Sequence, residues 1–176
     1  MAQEHPKGGN TLDICTGSGC IGLGFSKLTN ATVTGWDVSD KALLCAASNA
    51  QRNDISMQLA NVDILEAPSS AQSWDLIVAN PPYVLESEKA TMHTNVLDYE
   101  PHAALFVPNE DPIVFYKALA DFAIEYLVPG GCLYFELNPL TSNEVERFLK
   151  TKGFTDIVVV NDMRGHPRMM RSKKPW

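Results

Sequence analysis

A glycine-rich turn near the start of the chain constrains its fold more than any other feature. A short apolar run over residues 11–15 leads into Gly17, Gly19 and Gly22, which have the spacing Gly-x-Gly-x-x-Gly. Apolar residues then recur at helical intervals, at Ile21, Phe25 and Leu28. The pattern predicts a strand, a tight turn and a helix, and the glycines allow the backbone to approach a ligand closely.

Strands and helices alternate along the rest of the chain. Further strands are predicted over residues 31–36, 57–59, 75–79, 132–137, 155–160 and 168–171. Between them we expect a helix capped at residue 39 or 40, one capped by Asp111 and stopped by Pro129-Gly130-Gly131, and one opened by a capping box of Thr141 and Glu144. The alternation predicts an α/β fold whose mostly parallel sheet has helices on both faces.

The features with chemical potential lie at the predicted ends of strands. In α/β folds, ligands bind beyond the carboxyl ends of the strands. The turn at residues 13–19, Asp37 and the sequence Asn80-Pro81-Pro82-Tyr83 all lie at such ends. Residues 80–111 have no convincing periodicity, and so long a loop in a compact domain is expected to be either functional or disordered.

Composition and charge fit one soluble domain. The 176 residues are 45% hydrophobic and 20% charged, and no apolar run is long enough to cross a bilayer. The net charge of −7 argues against nucleic acid as the substrate, because non-specific binding depends on neutralising phosphates. The basic residues between 164 and 174 are interpreted as a solvated tail. We expect a monomeric, cytoplasmic protein that does not contact a membrane.

The cysteines give no sign of a metal site. Cys15, Cys20, Cys45 and Cys132 form no Cys-x-x-Cys pair, and their apolar neighbours indicate buried thiols. The sequence therefore predicts no bound metal, and free thiols fit a reducing cytoplasm.

The glycine turn alone fits two kinds of cofactor. Its spacing, with Asp37 about twenty residues further on, matches the pattern that binds the ribose of NAD, but S-adenosylmethionine (SAM) also carries an adenosine. Asp13 favours SAM, because a carboxylate repels a pyrophosphate and attracts an ammonium or sulfonium group. Asp63 could accept a hydrogen bond from the adenine amino group. The structural alternatives are a surface or capping role for Asp13 and a turn cap for Asp63.

The sequence Asn80-Pro81-Pro82-Tyr83 is typical of methylation on a planar nitrogen. Such a nitrogen is a poor nucleophile, so it must be aimed at the methyl group while acceptors hold its hydrogens. The Asn80 side-chain oxygen and the Pro81 carbonyl could be those acceptors, and prolines add no competing N–H donors. Tyr83 could stack on the target. The structural alternative is a rigid turn that ends a strand.

With both motifs, the chain resembles class I methyltransferases, and more narrowly the HemK/PrmC family, which methylates the glutamine of the Gly-Gly-Gln motif in peptide chain release factors. The matching segments are LDICTGSGCIG, GWDVSDKAL, DLIVANPPYV, NVLDYEPHAALFVPNEDPIVFYKAL, GGCLYFELN and DMRGHPRMM. The YEPHAAL stretch, at residues 99–105, is the most discriminating of these. The resemblance implies a Rossmann-like three-layer sandwich with seven strands, the last of them antiparallel.

The resemblance also implies roles for individual residues. SAM contacts would fall on Cys15, Thr16, Gly17, Ser18, Gly19, Asp37, Asp63, Ile64 and Asn80. Glutamine contacts would fall on Asn80, Pro81, Pro82 and Tyr83, with Glu100 and Pro101 in the loop that borders the pocket. Glu100 could instead hold that loop by a salt bridge or a cap. The product from the cofactor would be S-adenosylhomocysteine.

The chain departs from the family pattern in two places. Cys15 stands where many members have glycine. Only ten residues precede the first predicted strand, where the family has a small helical domain and a segment that covers the SAM pocket. We therefore expect residues 1–176 to be the catalytic domain alone, able to bind SAM but a poor enzyme for release factor.

Four other functions stay open on the sequence. Two are methyltransferases, acting on a glutamine of a ribosomal protein or on N6 of adenine in nucleic acid. The third is an NAD enzyme, and the fourth is a binding module without activity.

Overall fold

The fold is built on a seven-stranded β-sheet. A computed structural model describes residues 1–5, 7–66, 68–92 and 101–176 of the chain. The strands are β1 (Asn10–Ile14), β2 (Thr32–Asp37), β3 (Met57–Asn61), β4 (Trp74–Ala79), β5 (Val84–Leu85), β6 (Phe106–Val107), β7 (Leu127–Glu136), β8 (Thr155–Asn161) and β9 (Pro167–Lys173). All but β5 and β6, which form a separate parallel pair, belong to the large sheet.

The order of strands in the large sheet is β3-β2-β1-β4-β7-β9-β8. All strands in it are parallel except β9, which runs antiparallel to both β7 and β8. The order reverses between β1 and β4, so a crevice is expected beyond their carboxyl ends. The predicted mostly parallel sheet with an antiparallel last strand is confirmed.

Helices connect the strands. They are α1 (Cys20–Thr29), α2 (Asp40–Arg52), α3 (Val114–Tyr126) and α4 (Ser142–Thr151), with shorter 3-10 segments at Ile64–Glu66, Glu86–Thr91, His102–Ala104 and Pro139–Thr141. Ser39 caps α2, since its hydroxyl accepts a hydrogen bond from the Ala42 N–H at 3.3 Å. The predicted order of strands and helices is thus confirmed.

The two faces of the sheet are buried in separate cores. The larger core joins α3 and α4 to alternate strand residues such as Leu12, Ile77 and Leu133. The smaller core joins Phe25 of α1 to residues on the opposite face, such as Val33. Side chains alternate between faces along a strand, so this division confirms the predicted three layers.

The loop after β4 is more structured than its sequence indicates. Within residues 80–111, β5 pairs in parallel with β6, and the Val84 N–H donates to the Leu105 carbonyl at 2.9 Å. This pairing holds the two ends of the intervening segment together. A continuous loop was predicted because strands of two residues are too short to give a periodic pattern.

Two predicted helix boundaries and one predicted capping box are wrong. Asp111 does not cap α3, which begins at Val114, and its carboxylate instead pairs with Lys117 Nζ at 2.8 Å. The predicted capping box at Thr141 is not formed, because its hydroxyl donates to the Asn138 carbonyl at 3.2 Å. Residues 129–131 do not separate helix from strand, because α3 ends at Tyr126 and β7 begins at Leu127 with a bulge opposite β4.

Three of the C-terminal basic residues, Arg168, Arg171 and Lys173, belong to the sheet, so the interpretation as a solvated tail is wrong for them. Arg168 and Arg171 lie in β9, where Arg168 pairs with Glu136 and Asp162, and Arg171 pairs with Glu4. The strand predicted at residues 168–171 is the middle part of β9.

Candidate functional site

The predicted site residues meet at one edge of the sheet. Strands β3, β2, β1 and β4 are neighbours and parallel, so their carboxyl ends lie side by side. The glycine turn follows β1, Asp37 ends β2, Asp63 follows β3, and Asn80 follows β4. The sheet therefore brings together four features that are distant in sequence.

Asp13 and Asp37 organise the glycine turn. One carboxylate oxygen of Asp13 accepts hydrogen bonds from the Thr16 hydroxyl at 2.8 Å and from the Gly22 N–H at 2.9 Å. One oxygen of Asp37 accepts from the Gly17 N–H at 2.8 Å, and the other accepts from the Ser39 N–H at 2.9 Å. The turn is thus fixed to the ends of both β1 and β2.

Asp13 is a buried carboxylic acid whose pKa is raised. Its side chain is fully buried, and its second oxygen, Oδ1, has no hydrogen-bond partner among the described residues. Burial raises the pKa of Asp13 to about 6, although the hydrogen bonds from Thr16 and Gly22 lower it. A carboxylate in this condition would be stabilised by a nearby cation.

Cys15 shows that three acids converge on this edge. Burial raises the pKa of its thiol to about 12, together with the nearby charges of Asp37, Asp13 and Asp63. Its backbone has a φ of 56°, in the left-handed region that favours glycine. That conformation explains why glycine suits the position, and the thiol of Cys15 is partly buried there.

Space for a ligand lies beside the turn. Gly17 has a φ of 56°, and a Cβ built on it would have no atom within 4 Å. The Ser18 carbonyl is held by the Asn49 side-chain amide at 2.9 Å, and Gly19, with a φ of 79°, precedes the first residue of α1. These contacts give the turn a fixed shape with an open side at Gly17.

Asp63 acts as a cap, which the sequence analysis gave as its structural alternative. Its carboxylate accepts a hydrogen bond from the Leu65 N–H at 2.8 Å and so caps the short helix that begins at Ile64. Ile64 is buried, with 3% of its side chain exposed. The cap uses one carboxylate oxygen, so Asp63 keeps capacity for a further donor.

The Asn80 side chain is available at the end of β4. It is exposed, and its amide makes no hydrogen bond with the described residues. Pro81 and Pro82 are buried, and neither has an N–H, so the chain behind Asn80 is rigid. The arrangement presents an unused amide next to the glycine turn.

Tyr83 is held by the neighbouring strand. Its hydroxyl donates to Glu136 Oε1 at 2.6 Å, and its carbonyl accepts from the Asn138 side-chain amide at 3.0 Å. Burial, followed by the hydrogen bond to Glu136, raises the pKa of Tyr83 to about 12. The stacking role predicted for Tyr83 concerns its ring and is compatible with a bound hydroxyl.

Sequence reasoning missed Glu136, Asn138 and Arg168. They lie at the end of β7 and the start of β9, within segments that carried the resemblance but were given no role. Their adjacency follows from the antiparallel pairing of β7 with β9, in which Glu136 faces Met169. Only the tertiary fold places them against Tyr83.

Some predicted residues lie away from these contacts. Glu100 lies outside the described residues, so its assignment stays a prediction. Pro101 is exposed and precedes the short helix at His102–Ala104.

The prediction of buried thiols is wrong for Cys20 and Cys45, which are exposed because they lie on the outer sides of α1 and α2.

Comparison of the sequence with known protein families identifies the family of this chain. Residues 1–103 match the family described as Methyltransferase small domain. The chain belongs to this family. The matched range includes β1 to β4, the glycine turn and the Asn80-Pro81-Pro82-Tyr83 sequence, but not Glu136, Asn138 or Arg168.

Two curated relatives of this methyltransferase domain are release factor glutamine methyltransferases. That of Bacteroides thetaiotaomicron is 40% identical over 176 residues, which cover 99% of this chain and 63% of the relative. That of Flavobacterium psychrophilum is 42% identical over 161 residues, which cover 91% of this chain and 56% of the relative. The chain spans less than two thirds of the length of each relative.

A solved structure confirms the class I methyltransferase fold. A methyltransferase from Pyrococcus furiosus superposes with a TM-score of 0.73 over 99% of this chain and 80% of that chain, at 21% identity. Among the described residues, no helix is both long and apolar enough to span a membrane.

Proposed function

We propose that this domain transfers a methyl group from SAM to the side-chain amide nitrogen of a protein glutamine, in the Gly-Gly-Gln motif of peptide chain release factors. One observation carries the proposal: the Asn80-Pro81-Pro82-Tyr83 turn follows β4 directly and lies at the same sheet edge as the glycine turn. The relatives named release factor glutamine methyltransferase support the choice of target. A monomeric state and a cytoplasmic location belong to the same proposal.

The residues around the glycine turn fit SAM. Three carboxylates near Cys15 suit a ligand with an ammonium and a sulfonium, and Gly17 leaves open space beside them. Asp37 would hold the ribose hydroxyls, and Asp63 with Ile64 would border the adenine. When bound, SAM supplies a methyl group on a positively charged sulfur. The same three acids would repel the pyrophosphate of NAD.

Asn80 and Pro81 would position the target nitrogen. An amide nitrogen is a poor nucleophile because its lone pair is delocalised. The Asn80 side-chain oxygen and the Pro81 carbonyl would accept its two hydrogens and favour a pyramidal nitrogen that points at the methyl group. Positioning of this kind can supply roughly 7–11 kcal/mol of the barrier. Neither group is a strong base, so the proton would leave after methylation, when the nitrogen is acidic.

Labelling identifies the substrate. The protein is incubated with methyl-labelled SAM and, in separate reactions, with a release factor, a ribosomal protein mixture and DNA. We expect label on the glutamine of the Gly-Gly-Gln motif. Label on a ribosomal protein alone would show that the substrate is a ribosomal protein and not a release factor. Label on DNA alone would overturn the proposal that the domain methylates glutamine.

Replacing Asn80 tests the positioning of the amide. We expect Asn80→Ala to lower methyl transfer by about a hundredfold or more, because a misplaced nucleophile loses most of the advantage of orientation. Binding of S-adenosylhomocysteine, measured by calorimetry, should weaken much less. The control is Asn143→Ala, which removes an exposed amide on α4. Ordinary activity in the Asn80 variant would exclude this role.

A further inference from the structure

The end of β7 holds Tyr83 at two points. Glu136 accepts a hydrogen bond from the Tyr83 hydroxyl at 2.6 Å, and the Asn138 side-chain amide donates one to the Tyr83 carbonyl at 3.0 Å. One contact fixes the tip of the side chain and the other fixes its backbone. Together they restrict the rotation that would otherwise let the ring leave the Asn80-Pro81-Pro82 turn.

Asn138 is itself fixed by a complete set of hydrogen bonds. Only 3% of it is exposed, and its amide nitrogen also donates to Glu88 Oε2 at 2.8 Å. Its side-chain oxygen accepts from the Leu140 N–H at 2.9 Å, and its backbone N–H donates to the Tyr116 hydroxyl at 3.2 Å. A buried amide with all groups paired has one orientation, so it fixes the Tyr83 carbonyl in turn.

Glu136 is oriented by the β8–β9 hairpin. Arg168 Nη1 lies 3.8 Å from Glu136 Oε1 and 3.5 Å from the Tyr83 hydroxyl. The other guanidinium nitrogen lies 3.6 Å from Asp162, whose carboxylate accepts hydrogen bonds from the backbone of the hairpin. Arg168 thus lies between two acids, with one guanidinium nitrogen near Glu136 and the other near Asp162.

We infer that Glu136 and Asn138 are positioning residues that set the plane of the Tyr83 ring against the substrate amide, with Arg168 orienting Glu136. The inference rests on the proposed function, in which the ring lies against the glutamine. Small displacements matter here, since misplacement by about 1 Å can cost on the order of a hundredfold in rate. Tyr83 also packs against the larger core, and stacking would use its ring while the hydroxyl stays bound to Glu136.

A double-mutant cycle separates positioning from general stability. We expect Glu136→Ala to lower kcat by about ten- to a hundredfold with little change in the KM for SAM, and Glu136→Gln, which keeps an acceptor, to recover most of it. Tyr83→Phe should lower kcat similarly. Glu136→Ala should have no further effect in the Tyr83→Phe background, because Glu136 acts through the hydroxyl. Additive losses would overturn the inference.

A second measurement does not depend on activity. The protein is labelled with 3-fluorotyrosine, and the Tyr83 signal in the fluorine NMR spectrum is assigned from its loss in Tyr83→Phe. We expect the signal to shift in Glu136→Ala and to stay in place in Glu125→Gln, which changes an exposed acid on α3. An unmoved signal in Glu136→Ala would show that Glu136 does not hold Tyr83 and would overturn this inference. If the protein methylates no glutamine, only the proposed function is overturned.

Discussion

Asp13 shows how burial changes the acidity of a carboxyl group next to the glycine turn. Its carboxyl group is fully buried and accepts two hydrogen bonds, yet its pKa is raised from 3.8 to about 6. The folded protein therefore holds a proton that the unfolded chain releases in this range of pH. Its contribution to stability is present below the unfolded pKa and is lost as the pH rises through the folded pKa.

Comparing the wild type with Asp13→Asn tests this linkage. Asparagine can accept the same hydrogen bonds without a charge, so the variant should gain stability relative to the wild type between about pH 4 and about pH 6. The size of the raised pKa corresponds to a gain on the order of 3 kcal/mol. Urea unfolding of both proteins across this range measures it. Parallel pH profiles would contradict a raised pKa for Asp13.

The residues that form the site differ in how far the sequence could predict them. Asp37 and Asn80 were predicted because they follow strands and belong to local motifs. Glu136 and Asn138 contact Tyr83 across sequence separations of 53 and 55 residues. No local pattern encodes such a contact, because it depends on β7 lying next to β4 in the sheet.

At the scale of the element, α1 owes its position to close packing on β1. The N–H of Gly22 reaches the Asp13 carboxylate at 2.9 Å. A Cβ at Gly22 would lie 2.8 Å from Val33 Cγ1 and 2.9 Å from Asp13 Oδ2. The third glycine of the motif therefore sets the distance between helix and sheet.

Two glycines of α1 make a matched pair of substitutions. We expect Gly22→Ala to destabilise the domain by about 1–3 kcal/mol, because the added methyl overpacks the helix against the strand. Gly24 is exposed, and a Cβ there would meet no atom within 4 Å. Gly24→Ala should therefore stabilise by about 0.5–1 kcal/mol through helix propensity. Unfolding in urea checks both, and equal effects would refute the packing argument.

The elements that the sequence predicted well are those with long and regular patterns. The strand predicted at residues 75–79 became Trp74–Ala79, and that at 155–160 became Thr155–Asn161. The boundary predicted at Asp111 and the capping box predicted at Thr141 are wrong because these side chains have other partners, Lys117 and the Asn138 carbonyl. Leu28 fits the helical spacing of α1 yet is 75% exposed, since spacing alone does not reveal where a helix leaves the sheet.

At the scale of the whole molecule, the distribution of charge matters more than its sum. The net charge of −7 gives no information on where the acids lie. Burial is the main cause of the raised pKa of the Cys15 thiol, and the fold places Asp37, Asp13 and Asp63 close enough to raise it further. Some of the negative charge of the protein thus lies where a cationic ligand is proposed to bind.

Ligand-induced stabilisation tests that distribution. A ligand at about a hundred times its Kd stabilises the folded state by roughly 2.7 kcal/mol. For a domain of this size, that corresponds to a rise in Tm of roughly 5–11 °C. We expect S-adenosylhomocysteine to produce such a rise and NADH to produce none, because its phosphates would face the three acids.

Variants show whether the stabilisation comes from this site. Asp37→Ala should remove most of the rise in Tm with S-adenosylhomocysteine, because it removes the proposed ribose acceptor and frees the Gly17 N–H. The control is Glu146→Ala, which breaks only a surface pair with Lys150 on α4 and should keep the full rise. Differential scanning fluorimetry measures all three proteins. A larger rise with NADH than with S-adenosylhomocysteine would show that the glycine turn binds a dinucleotide, and the cofactor assignment would then fail.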